Sequence, residues 1–185
     1  MKRTGLIVIG VIVVIILIIG FWGVSVNNSL VRMEESIAQN QAEIDNQLKR
    51  RADLIPNLVN TVKGIAGQEQ KIVDSITSSR EKMLNGNTQE KLNANVDLTS
   101  NINLLVENYP EIKSDAAFTS LMDELAGTEN RIAVARKNYN EQVAEYNKKI
   151  KTFPTSLIAG MTGHEKASYL EVSEADKQNV DVNFE

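Results

Sequence analysis

A long apolar run opens the chain. No residue between Arg3 and Arg32 is charged, and residues 5–26 include 17 large apolar side chains among 22 positions. A helix of that length rises about 33 Å, enough to cross a hydrocarbon core of roughly 30 Å. A cleaved signal peptide has a shorter apolar core, about 7–15 residues, followed by a small-residue cleavage site. The pattern therefore predicts an uncleaved transmembrane anchor over residues 1–29.

From residue 30 onward, apolar side chains repeat with the spacings of three and four that mark one packed face of a helix. One line of heptad positions holds Leu30, Ile37, Ile44, Arg51, Leu58, Ile65, Ile72 and Ser79, and the other holds Glu34, Gln41, Leu48, Ile55, Val62, Glu69, Ile76 and Met83. The pattern predicts a helix over about 30–84. We expect a kink at Pro56, because proline cannot donate to the carbonyl of Ala52.

Turn and capping residues divide the rest of the chain. Gly86 is expected to end the first helix in a left-handed conformation, and Asn87 with Glu90 resembles a capping box. A second helix is predicted over 88–108 and a third over about 114–152, the latter capped by Ser114 or Asp115. Its apolar stripe recurs every seven residues, at Phe118, Leu125, Ile132, Tyr139, Tyr146 and Phe153.

These elements predict an all-α fold, with an N-terminal transmembrane helix followed by an elongated antiparallel up-and-down helical bundle of three to four helices. The expected domains are the anchor (1–29), the bundle (30–154) and a C-terminal tail (155–185) with a short helix. Lys2 and Arg3 precede the apolar run, which favours a cytoplasmic N-terminus and an exported bundle.

The amino-acid composition limits the kinds of metal, redox and catalytic site that the chain can form. The chain has no cysteine and one histidine, His164, which excludes disulfides, iron–sulfur clusters and the usual zinc sites. A net charge of −4 gives no reason to expect nucleic acid as a partner. The sequence shows no nucleophile–base set, no phosphate loop and no paired acids. We therefore expect no catalytic residues, no metal and no cofactor. His164 is expected in an exposed loop, where Glu165 and Glu171 could favour its protonated form.

Polar residues interrupt the apolar seams at two places. Arg51 occupies a seam position, and a second polar cluster lies on the third helix. One interpretation is a solvated charged surface, and the other is an interhelical network in which a buried arginine finds a carboxylate. The candidate residues for such a network or interaction surface are Lys49, Arg50, Arg51, Asp53, Asn57, Glu124, Glu129, Arg131 and Arg136.

Helix direction would decide whether the two clusters meet. If the chain turned at 85–88 and the second and third helices together ran back along the first, Arg51 would face about residues 121–126. If the third helix instead reversed at Pro110, an up-down-up bundle would keep the clusters apart.

Two Tyr-Asn pairs, Tyr139-Asn140 and Tyr146-Asn147, lie one heptad apart. We expect the tyrosines to pack with their hydroxyls at the edge of the core, and the asparagines, like Pro56, to fix register or packing. A carbohydrate or peptide site is the alternative.

Two segments point to a family. Residues 47–64 read QLKRRADLIPNLVNTVKG and residues 124–136 read ELAGTENRIAVAR, followed by the two Tyr-Asn pairs and Phe153-Pro154. This combination resembles the LemA family of bacterial membrane proteins. The resemblance implies a single-pass anchor carrying an up-and-down helical bundle, with no established enzymatic activity or cofactor. It also implies a place in the bacterial membrane and association with membrane protease and stress systems.

Three function classes follow from these observations. The leading hypothesis is a non-enzymatic, membrane-anchored scaffold or adaptor of the bacterial envelope, linked to membrane protein quality control or stress. Its partners would be the membrane and either further copies of the chain or other envelope proteins. The alternative is a ligand-sensing bundle that acts through a separate membrane transducer. An enzyme built on Lys49, Arg50, Asp53, Glu124 and Glu129 is the third class.

Overall fold

A computed structural model describes residues 2–65 and 70–171. They form five α-helices and one short 3₁₀ helix, and this part of the chain contains no strand. The helices are α1 (Lys2–Ile65), α2 (Gln70–Asn85), α3 (Thr88–Asn108), α4 (Ala116–Lys151) and α5 (Thr155–Thr162), with the 3₁₀ helix at Pro110–Ser114. The predicted all-α class, an apolar N-terminal helix followed by a helical bundle, is confirmed.

The chain divides into two compact units. Unit 1 comprises Met1–Gln39 and Asn140–Tyr169, and unit 2 comprises Asn40–Tyr139 and Leu170–Glu185. Unit 1 thus holds the start of α1, the end of α4 and all of α5. The heptad position Glu69, the side chain of Ile65 and the acidic end of the tail (172–185) lie outside the described residues.

The start of α1 is apolar and uncovered. Its large apolar side chains between Ile7 and Val24 are 39–78% exposed. One helix among the described residues is long and apolar enough to cross a membrane, and it is this one. The segment is compatible with single-pass anchoring.

The chain reverses direction between α1 and α2. The side chain of Arg80 on α2 donates a hydrogen bond of 3.1 Å to the backbone carbonyl of Ala52 on α1. In one continuous helix these residues, 28 apart, would be separated by about 42 Å. The single helix expected over 30–84 is therefore replaced by two helices packed side by side. Periodicity alone could not reveal the reversal, because α2 buries the same kind of apolar stripe as α1.

Two further reversals complete unit 2. Gln41 on α1 donates to Thr88 on α3, and Arg51, ten residues further along α1, donates to Thr99, eleven residues further along α3. The two helices are therefore parallel. Asn95 on α3 donates to Glu129 on α4 at 2.8 Å. Asn95 lies 13 residues before the end of α3, and Glu129 lies 13 residues after the start of α4. Equal distances from the connecting 3₁₀ helix are expected when α3 and α4 form an antiparallel hairpin. Unit 2 is therefore an up-down-up-down bundle of four helices.

The buried faces follow the heptads closely. The fully buried large apolar side chains of the four bundle helices include Leu48, Ile55, Leu58, Ile76, Leu98 and Leu105. Each such side chain contributes on the order of 1.5–3 kcal/mol through burial. On α4 the stripe from Phe118 to Tyr146 is buried, but Phe153, expected to continue it, is 75% exposed. The stripe ends there because α4 stops at Lys151.

Local capping residues set the helix boundaries. Asn87 and Glu90 form the predicted capping box at the start of α3, and Asp115 accepts from the backbone amide of Phe118 at the start of α4. The left-handed conformation expected at Gly86 is wrong, because Gly163, after α5, is the positive-φ glycine of the described residues. Glycine suits position 86 for space instead, since a β-carbon there would lie 2.8 Å from that of Glu90.

Candidate functional site

Arg51 is the most deeply buried charged residue of the candidate set. Its side chain is 4% exposed, and it forms an ion pair with Glu129 of α4. It also donates a hydrogen bond of 2.9 Å to the hydroxyl of Thr99 on α3. Its seam position explains the burial, because that position turns α1 toward the other helices. Together with Asn95, these residues form what we call the Arg51 cluster.

The buried positive charge of Arg51 is only partly satisfied by the groups around it. Asn95, itself buried, holds the Glu129 carboxylate through a 2.8 Å hydrogen bond. Burial lowers the pKa of Arg51 to about 10, so the guanidinium is still charged at neutral pH. Within the described part of the chain, Nε of Arg51 has no hydrogen-bond partner. The cluster thus joins three helices through one cation.

Most of the other candidate residues lie on the surface. Lys49 and Asp53 form an exposed i,i+4 pair at 2.9 Å, with side chains 67% and 53% exposed. The remaining candidates with solvent-exposed side chains are Arg50, Asn57, Glu124 and Arg131, and Arg136 is half-buried. Both interpretations of the polar residues therefore apply, to different members of the set. Arg51 and Glu129 form an interhelical pair, while most of their neighbours lie on the surface.

Pro56 does not break α1, which continues to Ile65. The carbonyl of Ala52 is the acceptor that this proline leaves without its usual amide donor. Arg80 from α2 supplies a donor to that carbonyl. A side chain of the next helix therefore replaces the missing backbone hydrogen bond.

Unit 1 contains a second polar cluster, which we call the Glu34 cluster. The buried Tyr146 donates its hydroxyl to the Glu34 carboxylate at 2.5 Å. The ring of His164, just after α5, has Nδ1 2.7 Å from the same carboxylate and Nε2 3.1 Å from the amide oxygen of Asn27. The side chain of His164 is 7% exposed. The expectation of an exposed histidine beside Glu165 and Glu171 is therefore wrong, because α5 returns it to α1.

The contacts in the Glu34 cluster shift the ionisation of two groups. Burial alone would raise the pKa of Glu34, but the hydrogen bonds from Tyr146 and His164 and the charge of His164 bring it below its ordinary value. Burial, the hydrogen bond to Glu34 and the charges of Glu34 and Glu165 raise the pKa of Tyr146. The cluster thus holds a carboxylate against a protonated phenol at neutral pH.

The Tyr-Asn pairs have different surroundings. Asn147 is buried and bonds twice to the backbone of Ala167, donating to its carbonyl at 2.8 Å and accepting from its amide at 2.9 Å. Tyr139 is buried, which raises the pKa of its hydroxyl, and Asn140 is half-buried. Asn147 thus fixes the segment that follows α5 rather than the register between two bundle helices.

Sequence reasoning missed several members of these clusters. Thr99 and Asn95 were not singled out, since polar residues on a helix usually face solvent. Glu34 did carry a signal, because it occupies a seam position where an apolar residue is expected. No group of three or more His, Asp or Glu side chains suited to a metal occurs among the described residues. The observed geometry is that of hydrogen-bonded packing contacts.

Residues 40–184 match the model of the LemA family. The chain belongs to the LemA family. The match begins after the apolar segment and includes every residue of the Arg51 cluster. The motifs at 47–64 and 124–136 supply Arg51 and Glu129 respectively, so in this LemA-family chain the ion pair joins the two motifs.

Curated relatives are similar over much of the chain. Protein LemA of Metamycoplasma hominis is 26% identical over 84% of this chain and 74% of its own length. Magnetosome protein MamQ 2 of Paramagnetospirillum magneticum is 24% identical over 78% of this chain and 64% of its own length. Magnetosome protein MamQ of Magnetospirillum gryphiswaldense is 21% identical over 77% of this chain and 63% of its own length. The chain spans less than two thirds of these MamQ relatives.

Proposed function

We propose that this LemA-family chain is a non-enzymatic, single-pass membrane scaffold or adaptor of the bacterial envelope. The observation that carries the proposal is α1, which runs without interruption from an uncovered apolar segment into residues that pack in a bundle. One helix then serves both as anchor and as a framework for protein contacts. The N-terminus would be cytoplasmic and the bundle exported, as the charges of Lys2 and Arg3 favour.

The contacts of the buried polar residues support a non-enzymatic role. The buried Arg51 is engaged by Glu129 and Thr99, and the Tyr146 hydroxyl by Glu34, so these side chains hold helices together. A reactive group needs a free face toward a substrate, which such pairing removes. The MamQ relatives are named for a structure rather than for a reaction, which agrees with an adaptor role.

The exposed face of α1 beside Arg51 is the proposed contact surface. Lys49, Asp53 and Asn57 follow one another at intervals of four on α1, and all three are exposed. Side chains at this spacing share one helix face. The partner would be a second copy of the chain or another envelope protein, with membrane protein quality control as the specific version of the role.

Site-specific photocrosslinking tests the adaptor function. A photoreactive residue is placed at Lys49, Asp53 or Asn57 of the full chain in bacterial cells, and at the exposed Lys113 of the 3₁₀ helix as a control. We expect a discrete adduct from the α1 face that is absent at Lys113, with mass spectrometry assigning it to this chain or to a membrane protein. Absence of adducts from all three positions in membrane-inserted protein would refute the contact surface.

Labelling tests the orientation separately. Because the chain has no cysteine, Lys49→Cys supplies a unique thiol. A membrane-impermeant maleimide added to intact spheroplasts should label it if the bundle is exported. Labelling only after lysis would reverse the proposed orientation without affecting the adaptor role.

A pocket beside the Arg51 cluster favours ligand sensing as a second candidate. It is lined in part by Arg51, Thr99, Asn103, Met122 and Glu129. The lining combines the cationic Arg51 with the polar Thr99 and Asn103, so a small anionic ligand is the class that the pocket would take. Thermal unfolding with added acetate, succinate and phosphate tests this function. Stabilisation that disappears in Arg51→Met would support it, and unchanged unfolding temperatures with all three anions would count against it.

A further inference from the structure

An apolar face of α5 is uncovered. Leu157 and Met161 lie four residues apart on α5 and are 59% and 83% exposed, and Phe153, in the turn that precedes α5, is 75% exposed. The opposite side of the helix is packed, since Ala159 is buried. Large apolar side chains that line up on one exposed face usually mark a contact with a membrane or another protein.

Contacts with α1 locate this face relative to the apolar segment. Residues 7–26 of α1 form about 30 Å of helix, the thickness of a hydrocarbon core. A β-carbon at Gly23 would lie 3.4 Å from Cδ1 of Ile158 on α5. Gly23 is only three residues before the end of this segment, or about 5 Å along the axis. The helix α5 therefore packs against α1 at the boundary between apolar and polar residues.

Polar contacts begin just beyond that boundary. His164, two residues after the end of α5, lies 3.1 Å from Asn27, the first amide side chain after the apolar run. Lys149 donates to Ser29 at 2.6 Å. Unit 1 thus changes from apolar to polar contacts over a few residues of α1, which is the gradient of a membrane interface.

We propose that α5 lies in the membrane interface, with Phe153, Leu157 and Met161 inserted among the lipid acyl chains. The occupant is the lipid surface rather than a second copy, because α5 packs against α1 at Gly23, which directly follows Phe21 and Trp22, exposed apolar residues of the segment proposed to span the membrane. The inference rests on that proposed anchoring.

Charge at the end of α4 specifies the lipid class. The last turn of α4 carries Lys148, Lys149 and Lys151, just before the turn that leads into α5. Lys148 and Lys151 are exposed. Lysines next to an inserted apolar face attract anionic headgroups. Lipids such as phosphatidylglycerol should therefore hold α5 more firmly than zwitterionic lipids.

Depth-dependent fluorescence quenching tests the proposal. Leu157→Cys and Met161→Cys each carry an environment-sensitive fluorophore in the full chain, reconstituted into phosphatidylcholine vesicles with or without phosphatidylglycerol. Glu111→Cys, at an exposed position of the 3₁₀ helix, is the matched control. Nitroxide lipids quench probes in the acyl region, and aqueous iodide quenches probes in water. The single tryptophan, Trp22, is read in parallel by brominated lipid and reports insertion of the anchor.

The expected result is blue-shifted emission and lipid quenching at 157 and 161, stronger with phosphatidylglycerol, while the probe at 111 responds only to iodide. If 157 and 161 respond to iodide while Trp22 responds to brominated lipid, the α5 inference is wrong and the anchor stands. If the two probes are shielded from both quenchers, a protein contact covers the face and the inference is also wrong. If Trp22 does not respond to brominated lipid, both the anchor and the inference fail.

Discussion

Glu129→Ala should destabilise the folded chain more than Arg51→Met, although both substitutions remove the same ion pair. Glu129→Ala leaves the guanidinium of Arg51 buried, with Thr99 as its remaining hydrogen-bond partner in the Arg51 cluster. Arg51→Met removes the buried charge and keeps an apolar stem in the core. The carboxylate of Glu129 stays 43% exposed and bonded to Asn95, so it can be solvated.

The magnitudes follow from this difference in burial. Removing one partner of a fully buried pair costs about 3–5 kcal/mol, whereas replacing the pair by apolar groups is often neutral. Partial exposure of Glu129 screens the interaction, so we expect about 2–3 kcal/mol for Glu129→Ala. We expect about 1 kcal/mol or less for Arg51→Met. The double variant should be more stable than Glu129→Ala alone, because it removes the stranded charge.

Urea unfolding of the full chain in detergent micelles, followed by helical circular dichroism, measures these differences. Lys49→Ala is the control, because it removes an exposed ion pair from the same motif and should cost about 0.5 kcal/mol or less. A double variant less stable than Glu129→Ala would refute the reasoning. An Arg51→Met variant that loses as much stability as Glu129→Ala would refute it as well.

Three more substitutions test other contacts. Arg80→Met should cost about 1 kcal/mol in the same urea titration, because it removes the donor that replaces the amide missing at Pro56, and Pro56→Ala should cancel that loss. Asn147→Asp should speed amide hydrogen exchange at Ala167, since it keeps the acceptor for that amide but loses the donor to its carbonyl. Because folding lowers the pKa of Glu34, its stabilisation is present above about pH 4.3 and is lost as the pH falls through the lower folded value. Glu34→Gln should therefore flatten the acid end of a pH–stability curve.

Each of these outcomes has a contrary result. Equal losses from Arg80→Met in the native chain and in the Pro56→Ala variant would show that the arginine acts through packing alone. Unchanged exchange at Ala167 in Asn147→Asp would show that other contacts hold the segment. An acid transition identical in Glu34→Gln would assign the pH response to other carboxylates.

Local features were predictable from the sequence, and long-range direction was not. The capping box at Asn87 and the cap at Asp115 each depend on residues three positions apart, so both helix starts can be predicted from the sequence. The reversal after α1 was missed because the heptads continue through it. The available signal was Gly64 with Gly67, since each glycine costs about 1 kcal/mol in a helix interior relative to alanine.

The polar clusters were predictable in part for a similar reason. Arg51 could be identified because a charge on an apolar seam requires a partner. Its acceptors could not be chosen among many polar residues without knowing which helices are adjacent. His164 was misjudged because its surroundings depend on α5, which returns it to Glu34 across 130 residues of sequence.

The hydrogen bond from Arg80 to Ala52 has a consequence for cooperativity. A regular helix satisfies its own backbone, so it can form and fray independently of its neighbours. Here one backbone acceptor of α1 is satisfied only when α2 is docked, because its donor comes from 28 residues further along the chain. Local opening of α2 would therefore take away the protein donor of this carbonyl and leave water to replace it. The two helices should lose hydrogen-exchange protection as one unit rather than in sequence.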